Sequence, residues 1–296
     1  MLVSTQKKEI LMLHINEADL GISLRKIKDS AVINEIRLPH RHDHYSCFFV
    51  EKGTFRNSID FTEVTVKPNT LLISYPGQVH LLHSISKCSG WMLLFDDKLI
   101  DDNVRTLFEE SLAEIALLEL SEKDNWQILS TLNLMHSFYR EQKGKAFFRQ
   151  LLRSTLDVFI YQAASMYKSA ENIRESGHSL RNVEITKKFK KLLREHYKTV
   201  KKPSAYAGML NLSAVYLNEC VKNVTGLPVS YHIQHEIIKE AQRLLFYSGN
   251  SIKEIGFSLG YEDIQYFHRL FRKMTGFTPL QFRNQILSSG KSDETV

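Results

Sequence analysis

The chain has 296 residues, of which 43% are hydrophobic and 24% are charged, and its formal net charge is +6. This length and composition are typical of a globular protein with two domains, and the lack of any run of about eighteen apolar residues excludes a membrane-spanning helix. The three cysteines, Cys47, Cys88 and Cys220, are scattered without CxxC spacing, which excludes a zinc cluster built mainly from thiolates and favours a reducing cytoplasm.

The N-terminal part of the chain predicts β-structure. Met1–Glu9 has no apolar segment behind its lysines, which argues against secretion and favours a cytoplasmic protein. Between residues 20 and 95, short runs rich in Val, Ile, Phe and Tyr alternate with turn signals. The clearest strands are 48–50, 64–66, 71–73 and 91–95, and the predicted turns are 51–53, 67–69 and 76–78. Many short strands at close spacing predict a small β-barrel or jelly roll.

From residue 121 to 170 the hydrophobic period becomes helical. One apolar stripe contains Trp126, Leu129, Leu132 and Met135, and a second contains Phe148, Leu152, Leu156 and Phe159. Gly144 lies between the stripes, so we expect an antiparallel helix pair. The polar stretch 171–182, which contains Gly177, is interpreted as an interdomain linker.

The remaining residues contain one apolar pattern twice. A basic amphipathic helix is predicted over 183–197, and Pro203-Ser204 then begins the first copy, with Ser204 as the helix N-cap. Leu217, Val221 and Gly226 recur fifty residues later as Phe267, Phe271 and Gly276. A short helix, a tight turn and a second amphipathic helix form the unit that places its second helix in a DNA major groove. An apolar stripe over 229–247 predicts a single helix that bridges the copies.

The basic residues are concentrated in the half that carries this repeat. In residues 176–296, Lys and Arg outnumber Asp and Glu by 18 to 10, whereas residues 1–175 contain 21 basic and 23 acidic residues. Such a distribution favours a polyanion-binding domain joined to a near-neutral one. The alternative interpretation is a solvated charged surface.

The repeat resembles the C-terminal domain of the AraC/XylS family of bacterial transcription regulators. The resemblance is carried by residues 252–256, 259–263 and 266–283, and more loosely by 212–217 and 225–226. Gly256 departs from the family, where a helix-packing alanine is common, and we expect two helices to approach closely there. More weakly, the segments 39–45, 51–53 and 75–80 resemble the cupin-like effector domain of many members.

The resemblance implies an α+β protein of two domains. Residues 1–120 form a cupin-like β-barrel, 121–170 a helical dimerisation segment, 171–182 a linker, and 183–296 an all-α double helix-turn-helix domain. The implied partners are double-stranded promoter DNA, a small-molecule effector and a second copy of the chain, with RNA polymerase as a further candidate.

The face of each recognition helix opposite its buried stripe supplies the expected DNA contacts. Residues suited to base edges are Val215, Asn218, Glu219, Ile264, Gln265, His268 and Arg269, and all of these except Ile264 match the family's positions residue by residue. Residues suited to phosphates are Ser213, Tyr216, Lys222, Tyr266, Arg272 and Lys273. Alternatively, Arg269 and Arg272 pair with carboxylates on a neighbouring helix, and Glu219 is an ordinary exposed residue. The second copy holds more cations, so we expect it to contribute more affinity and the first more discrimination.

Clustered polar residues in the first domain are candidate effector contacts: His40, His42, His44, Tyr75 and His80. The alternative is a set of hydrogen-bonded structural histidines. His42, His44 and His80 imitate three ligands of a metal-binding cupin, but Glu51, the next acid after His44, lies too far along the chain. We therefore predict no metal and no cofactor.

No phosphate-binding loop, nucleophile elbow or isolated carboxylate pair is recognised, so no catalytic residue is assigned and no enzyme is expected. Three alternatives stay open at this point. One is a regulator whose first domain only dimerises, the second is a metal-dependent cupin enzyme with a DNA-binding tail, and the third is nonspecific RNA or DNA binding.

Overall fold

The computed structural model describes residues 11–13, 20–28, 40–109, 111–113 and 115–289. The expectation for Met1–Glu9, and Pro39 of the histidine-rich segment, lie outside the described residues. The chain divides into two compact units between Arg174 and Glu175. The predicted α+β architecture is confirmed, because the first unit is built on a sheet and the second on helices.

The described strands are β1 (Leu11–Leu13), β2 (Ile22–Lys28), β3 (His40–His42), β4 (His44–Ile59), β5 (Thr62–Val66), β6 (Thr70–Ser74), β7 (Val79–Asp96) and β8 (Ala116–Glu119). The helices of the first unit are α1 (Asp102–Glu109), α2 (Glu122–Glu141) and α3 (Phe148–Glu175). The long strands β4 and β7 pair antiparallel, from His44 opposite Asp96 to Ile59 opposite His80. One half of the pair joins β2 and β6, and the other half joins β3 and β5.

The central strands bury both of their faces, which explains their continuous apolar runs. On one face, Phe49, Leu71 and Trp91 belong to a core completed by α1, α2 and α3. On the other face, neighbouring residues such as Phe48 and Leu72 pack with residues from the far half of the folded sheet. Successive strand residues point to opposite faces, so both layers draw on the same short segments.

The predicted turn at 51–53 is wrong, because these residues lie inside β4. The ladder between β4 and β7 shifts register between Val50 and Thr54, which absorbs the irregularity as a bulge. Gly53 has a φ of 75°, and a Cβ there would lie 2.3 Å from the carbonyl oxygens of Ser86 and Lys87. The glycine that looked like a turn signal therefore permits a bulge in a long strand.

The predicted helix pair is present as α2 and α3, but two details differ. Leu132 and Met135 of the predicted stripe are buried, but Trp126 is 68% exposed and Ile128 is buried instead. Helix α3 continues to Glu175 and the next helix begins at Leu180, so most of the predicted linker 171–182 is helical.

The polar residues near the end of α3 predict an exposed linker, but one of them, Glu171, is buried. The Glu171 carboxylate accepts hydrogen bonds from Ser111 Oγ at 3.0 Å, Leu112 N at 3.1 Å and Arg174 Nη1 at 2.7 Å. Burial alone would raise the pKa of Glu171, but these hydrogen bonds lower it. The carboxylate thus attaches the end of α3 to the segment that precedes β8.

The second unit consists of helices α4 (Leu180–His196), α5 (Pro203–Met209), α6 (Ala214–Thr225), α7 (Val229–Tyr247), α8 (Ile252–Ser258), α9 (Ile264–Thr275) and α10 (Pro279–Ser289). The repeat is confirmed, since residues 217–230 and 267–280 have the same order of buried, half-buried and exposed positions. Helix α7 is the predicted single bridging helix. The expected N-cap at Ser204 is wrong, because Lys202 is the N-cap and Pro203 begins α5.

Close approach at Gly256 is confirmed. A Cβ at this position would lie 2.7 Å from Ile264 Cδ1 and 3.4 Å from Phe267 Cδ1. The short helix α8 therefore lies directly on the start of α9.

Replacement of Glu171 is expected to destabilise the first unit. Glu171→Ala leaves the buried Ser111 hydroxyl and the Leu112 N–H without their acceptor, at a cost of about 1–3 kcal/mol. Both tryptophans, Trp91 and Trp126, lie in this unit, so urea unfolding followed by tryptophan fluorescence measures it. The exposed Glu141→Ala should change the free energy of unfolding by less than about 0.5 kcal/mol. Equal effects would contradict a structural role for Glu171.

Candidate functional site

The two recognition helices, α6 and α9, begin and end in the same way. Ser213 Oγ accepts a hydrogen bond from Tyr216 N at 3.2 Å, and Asp263 Oδ1 accepts from Gln265 N at 2.8 Å and Tyr266 N at 3.1 Å. Both helices end at a left-handed glycine, Gly226 or Gly276. Each helix start thus has its free N–H groups capped by a side chain.

A threonine fixes the end of each recognition helix. Thr225 Oγ1 donates to Val221 O at 2.7 Å, and Thr275 Oγ1 donates to Phe271 O at 2.8 Å. Each hydroxyl also accepts from the backbone N–H two residues later, at 3.2 Å. The same local bonds at both positions explain why threonine and glycine recur together in the sequence.

Apolar anchors determine which face of each helix is free. Leu217, Cys220 and Val221 are buried in α6, and Phe267, Leu270 and Phe271 are buried in α9. On the opposite faces, Val215, Glu219, Gln265 and Arg269 are exposed, as predicted for base-reading positions. His268 is half-buried.

Two predicted base-reading residues make contacts inside the protein. Asn218 Oδ1 accepts a hydrogen bond from Val229 N at 3.1 Å, so half of its amide group caps α7. In the second copy, Val229 is replaced by Pro279, which has no N–H. His268, the equivalent of Asn218, therefore has no such N–H to accept from. Ile264 is half-buried with its Cδ1 against Gly256. Asn218 retains its NH₂ group for a ligand, whereas Ile264 is used mainly in packing.

The carboxylate that pairs with Arg269 belongs to the N-cap of its own helix and not to a neighbouring helix. Arg269 Nη2 is 3.8 Å from Asp263 Oδ2, and both side chains are more than half exposed. The guanidinium also lies 6.0 Å from the centre of the Tyr266 ring. A long, solvent-exposed pair of this kind contributes little free energy, so the Arg269 guanidinium remains available to a ligand.

The predicted phosphate-contacting residues lie beside the same faces. Ser213, Lys222, Tyr266, Arg272 and Lys273 are exposed, and Tyr216 is half-buried. The Arg181 guanidinium lies 5.9 Å from the Tyr216 ring centre, which adds a cation that the sequence analysis did not select. No sequence signal near Arg181 indicated this contact, because it joins α4 to α6.

Four of the five candidate effector residues come together on the inner face of the folded sheet. His40, His42, His44 and His80 are all buried, and the ring centre of His42 lies 4.8, 4.6 and 4.9 Å from those of the other three, respectively. Burial, followed by the imidazoles of His80, His40 and His44, lowers the pKa of His42 to about 2. Burial is also the largest cause that lowers the pKa of His80, to about 3. His42 and His80 are therefore neutral at physiological pH.

Tyr75 does not join these histidines. Its ring lies 6.0 Å from those of Tyr45 and Phe108, in the core between the sheet and the helices. The turn that follows it does contact the cluster, since Gly77 N donates to His42 O at 2.8 Å. Tyr75 is therefore a neighbour of the histidine cluster through the backbone only.

Further buried polar groups share strands with the histidines. The buried side-chain atoms that have no hydrogen-bond partner among the described residues include His42 Nδ1, Ser46 Oγ, Asn57 Oδ1, Ser74 Oγ and His80 Nε2. Ser46 pairs in register with Ser74, and Asn57 pairs with Leu82, a residue of the inner core. No local sequence pattern marks Ser46, Asn57 or Ser74, because their positions beside the histidines depend on strand register. Among the described residues, no group of three or more His, Cys, Asp or Glu side chains is arranged to hold a metal ion.

The described helices include none with the length and apolar character needed to cross a membrane. Two family models match the chain. One is described as an AraC-like ligand binding domain and matches residues 34–156, and the other is described as a helix-turn-helix domain and matches residues 206–285.

Similar proteins were found among curated proteins and solved structures. The MmsAB operon regulatory protein of Pseudomonas aeruginosa is 33% identical over 94 residues, which is 32% of this chain and 31% of that protein. The activator RhaS of Escherichia fergusonii is 31% identical over 31% of this chain and 33% of that protein. The chain thus spans about a third of the length of these relatives. Unsaturated-fatty-acid-bound ToxT of Vibrio cholerae aligns over 88% of this chain and 94% of that chain, at 14% identity and a TM-score of 0.41.

The buried imidazole of His42 predicts that the first unit loses stability in acid. Its pKa is about 2 in the folded chain and 6.5 as the ordinary value, so below pH 6.5 the unfolded chain binds a proton that the folded chain does not. The contribution of His42 to the free energy of unfolding should therefore be constant above pH 6.5 and fall between pH 6.5 and 4. In His42→Gln the fall below pH 6.5 should be shallower than in the wild type, whereas Asn133→Gln, a change at an exposed position that does not titrate, should keep the wild-type slope. Unfolding of each variant by urea across this range measures the difference, and a parallel slope in His42→Gln would contradict the assignment.

Proposed function

The chain belongs to the AraC/XylS family of transcription regulators, and we propose on that premise that it binds promoter DNA in a sequence-specific manner. In this proposal α6 and α9 each enter a major groove, and α7 joins the two helix-turn-helix motifs. The observation that supports it best is the repeated geometry of the two helices. Their N-caps, C-caps and buried anchors occupy equivalent positions, so both helices present the equivalent face to a ligand.

The side chains on those faces suit base edges. Arg269 is positioned to pair with guanine through its two N–H donors, and Gln265 to pair with adenine. Glu219 is exposed at the position equivalent to Arg269, where it is suited to accept from a cytosine amino group. The second helix also carries Arg272 and Lys273, so we propose that it supplies more of the affinity and the first helix more of the discrimination.

Replacement of Arg269 should separate base reading from phosphate binding. On a duplex selected by the full chain from a random pool, Arg269→Ala should lose about 1–3 kcal/mol and relax the preference at one base pair. Lys222→Ala is the matched control, because loss of a phosphate contact weakens selected and random DNA equally and lowers the salt slope by about one. Fluorescence anisotropy titrations at several salt concentrations measure both. An equal loss on selected and random DNA in Arg269→Ala would refute its role as a base contact.

We also propose that the inner face of the sheet binds a small-molecule effector. Its support is the set of five buried polar atoms described above, since a buried polar group without a hydrogen bond costs about 1–3 kcal/mol. The hydrogen-bonding groups of a ligand would satisfy His42, Asn57 and their neighbours. The neutral imidazoles of His42 and His80 favour an uncharged ligand, because they offer hydrogen bonds without a compensating charge.

A thermal-shift screen of small molecules against the full chain tests this site. A ligand that raises the melting temperature of the wild type should lose most of its effect on Asn57→Leu, which removes the buried acceptor at similar volume. Asn133→Leu, at an exposed position of α2, should retain the full shift. Tight sequence-specific DNA binding without any stabilising ligand would favour the alternative, in which the first unit only dimerises.

A second copy of the chain is the proposed partner of the helix pair. A groove of about 740 Å³ lies along α2 and α3, and exposed apolar side chains line it at Val158, Tyr161 and Ile173. Exposed apolar surface of this kind is typical of a contact face. A dimer is therefore the expected state in sedimentation equilibrium of the full chain. The relatives above are regulators, and we propose no enzymatic activity for this chain.

A further inference from the structure

A short segment after α4 contacts both helix-turn-helix units. We call Lys198–Lys201 the junction segment. The Val200 carbonyl accepts a hydrogen bond from the Tyr206 hydroxyl of α5 at 3.0 Å, and Lys198 Nζ lies 3.4 Å from Glu240 Oε1 of the bridging helix α7. The segment is thereby attached to the first helix-turn-helix and to the bridging helix α7.

The opposite side of the junction segment lies against the turn of the second helix-turn-helix. Gly260, in the turn between α8 and α9, has a φ of 80°, and a Cβ there would lie 2.6 Å from the Lys198 carbonyl oxygen and 3.2 Å from Lys201 Cε. A gap this small leaves room for a glycine only. The turn therefore rests directly on the backbone of the junction segment.

Lys201 completes the contact with a charge. Its Nζ donates to the carbonyl oxygens of Tyr197 at 2.6 Å and Lys198 at 2.9 Å, where α4 ends and its carbonyls lack helical partners. The same ammonium lies 5.3 Å from the centre of the Tyr261 ring. Tyr261 in turn packs on Phe267 of α9, with ring centres 5.6 Å apart. A continuous line of contacts thus runs from α4 to the second recognition helix.

The first helix-turn-helix shows that glycine is not needed for the turn itself. Asn211 is the equivalent of Gly260, since Leu212 N donates to Ala207 O and Tyr261 N donates to Gly256 O in the same way. Asn211 adopts a φ of 55° with a full side chain. Asparagine therefore tolerates this backbone conformation, and the glycine at position 260 is required by the close approach to Lys198.

We propose that the junction segment is a positioning element that fixes the second recognition helix relative to the first, so that the protein reads two half-sites at one set separation. This inference rests on the proposed DNA-binding function. The bridging helix α7 sets the distance between the two helix-turn-helix motifs. The junction segment prevents rotation of the second helix-turn-helix about that helix. Because two major-groove segments on one face of DNA are about 10–10.5 base pairs apart, one inserted base pair turns the second half-site by about 34°.

The test measures affinity against half-site spacing. Duplexes selected by the full chain are altered by one or two base pairs between the half-sites. For the wild type, each single insertion or deletion should weaken binding at least about tenfold. For Gly260→Asn the best duplex should bind more weakly, and the loss on insertion should shrink to about threefold or less. Gly276→Asn is the matched control, because Gly276 also has a φ of 80° but has nothing within 4 Å of the added Cβ.

A second variant and a second measurement separate the possible outcomes. Lys201→Met keeps the aliphatic chain and removes the ammonium, so it should also flatten the spacing profile, and Lys201→Arg should restore most of it. A uniform loss at every spacing would instead make Lys201 a phosphate contact and overturn its part in the proposal. Gly260→Asn with the wild-type profile, or Gly276→Asn with the same flattening, would overturn the proposal as a whole.

The proposed function and this inference fail in different ways. A wild-type protein that binds selected and random DNA equally contradicts sequence-specific binding. In that case, spin labels on Glu219→Cys and Arg269→Cys, one on each recognition helix, still decide the role of the junction. The distance distribution between the labels in the free protein should be narrow with Gly260 and at least twice as broad with Gly260→Asn. An unchanged width would overturn the inference.

Discussion

Burial of one apolar face on each recognition helix is the constraint on which the DNA-binding half depends. Leu217 and Val221 in α6, and Phe267 and Phe271 in α9, are fully buried. An α-helix anchored in this way cannot rotate about its axis without exposing those side chains to water. The residues on the opposite face are therefore presented at fixed positions, and their chemistry can differ between the two helices without any change in how the helices are held.

The two helix-turn-helix units are built alike but connected differently. The turn of the second helix-turn-helix contains one more residue, Glu262, before the N-cap of α9. In the first helix-turn-helix the amide of Asn218 caps α7, whereas in the second the residue equivalent to Val229 is Pro279, which has no N–H. These differences free His268 and leave Asn218 half-engaged. The duplicated sequence thus yields a common frame with two unequal reading surfaces.

In the first unit, the same strands separate packing from ligand chemistry. Tyr45, Cys47 and Phe49 of β4 point to the helices, and the alternating residues His44 and Ser46 point to the inner face. This alternation follows from the period of two residues in a β-strand. The turn after Tyr75 is attached to the backbone of His42, and the Tyr75 ring lies in the helix-facing core. The proposed effector site and the helix pair are therefore opposite sides of one layer.

The sequence alone determined the features that depend on local order. The period of apolar residues placed α6 at 214–225, where the structure has it, and the recurrence of Thr and Gly marked the end of each recognition helix. Such signals are local because capping bonds and helical faces involve residues only a few positions apart. From this order the sequence also predicted which side chains would face outward.

Only the tertiary structure decided features that join distant segments. The local sequence around Gly53 predicts a turn, but the ladder between β4 and β7 makes it a bulge. The polar sequence around Glu171 predicts a linker, but Ser111 and Leu112, about sixty residues away, donate hydrogen bonds to its carboxylate. Ser46, Asn57 and Ser74 join the histidines only through strand register, and Lys201 meets Tyr261 only when the chain has folded back. No local pattern encodes these contacts, because each depends on a pairing between segments that are far apart in the chain.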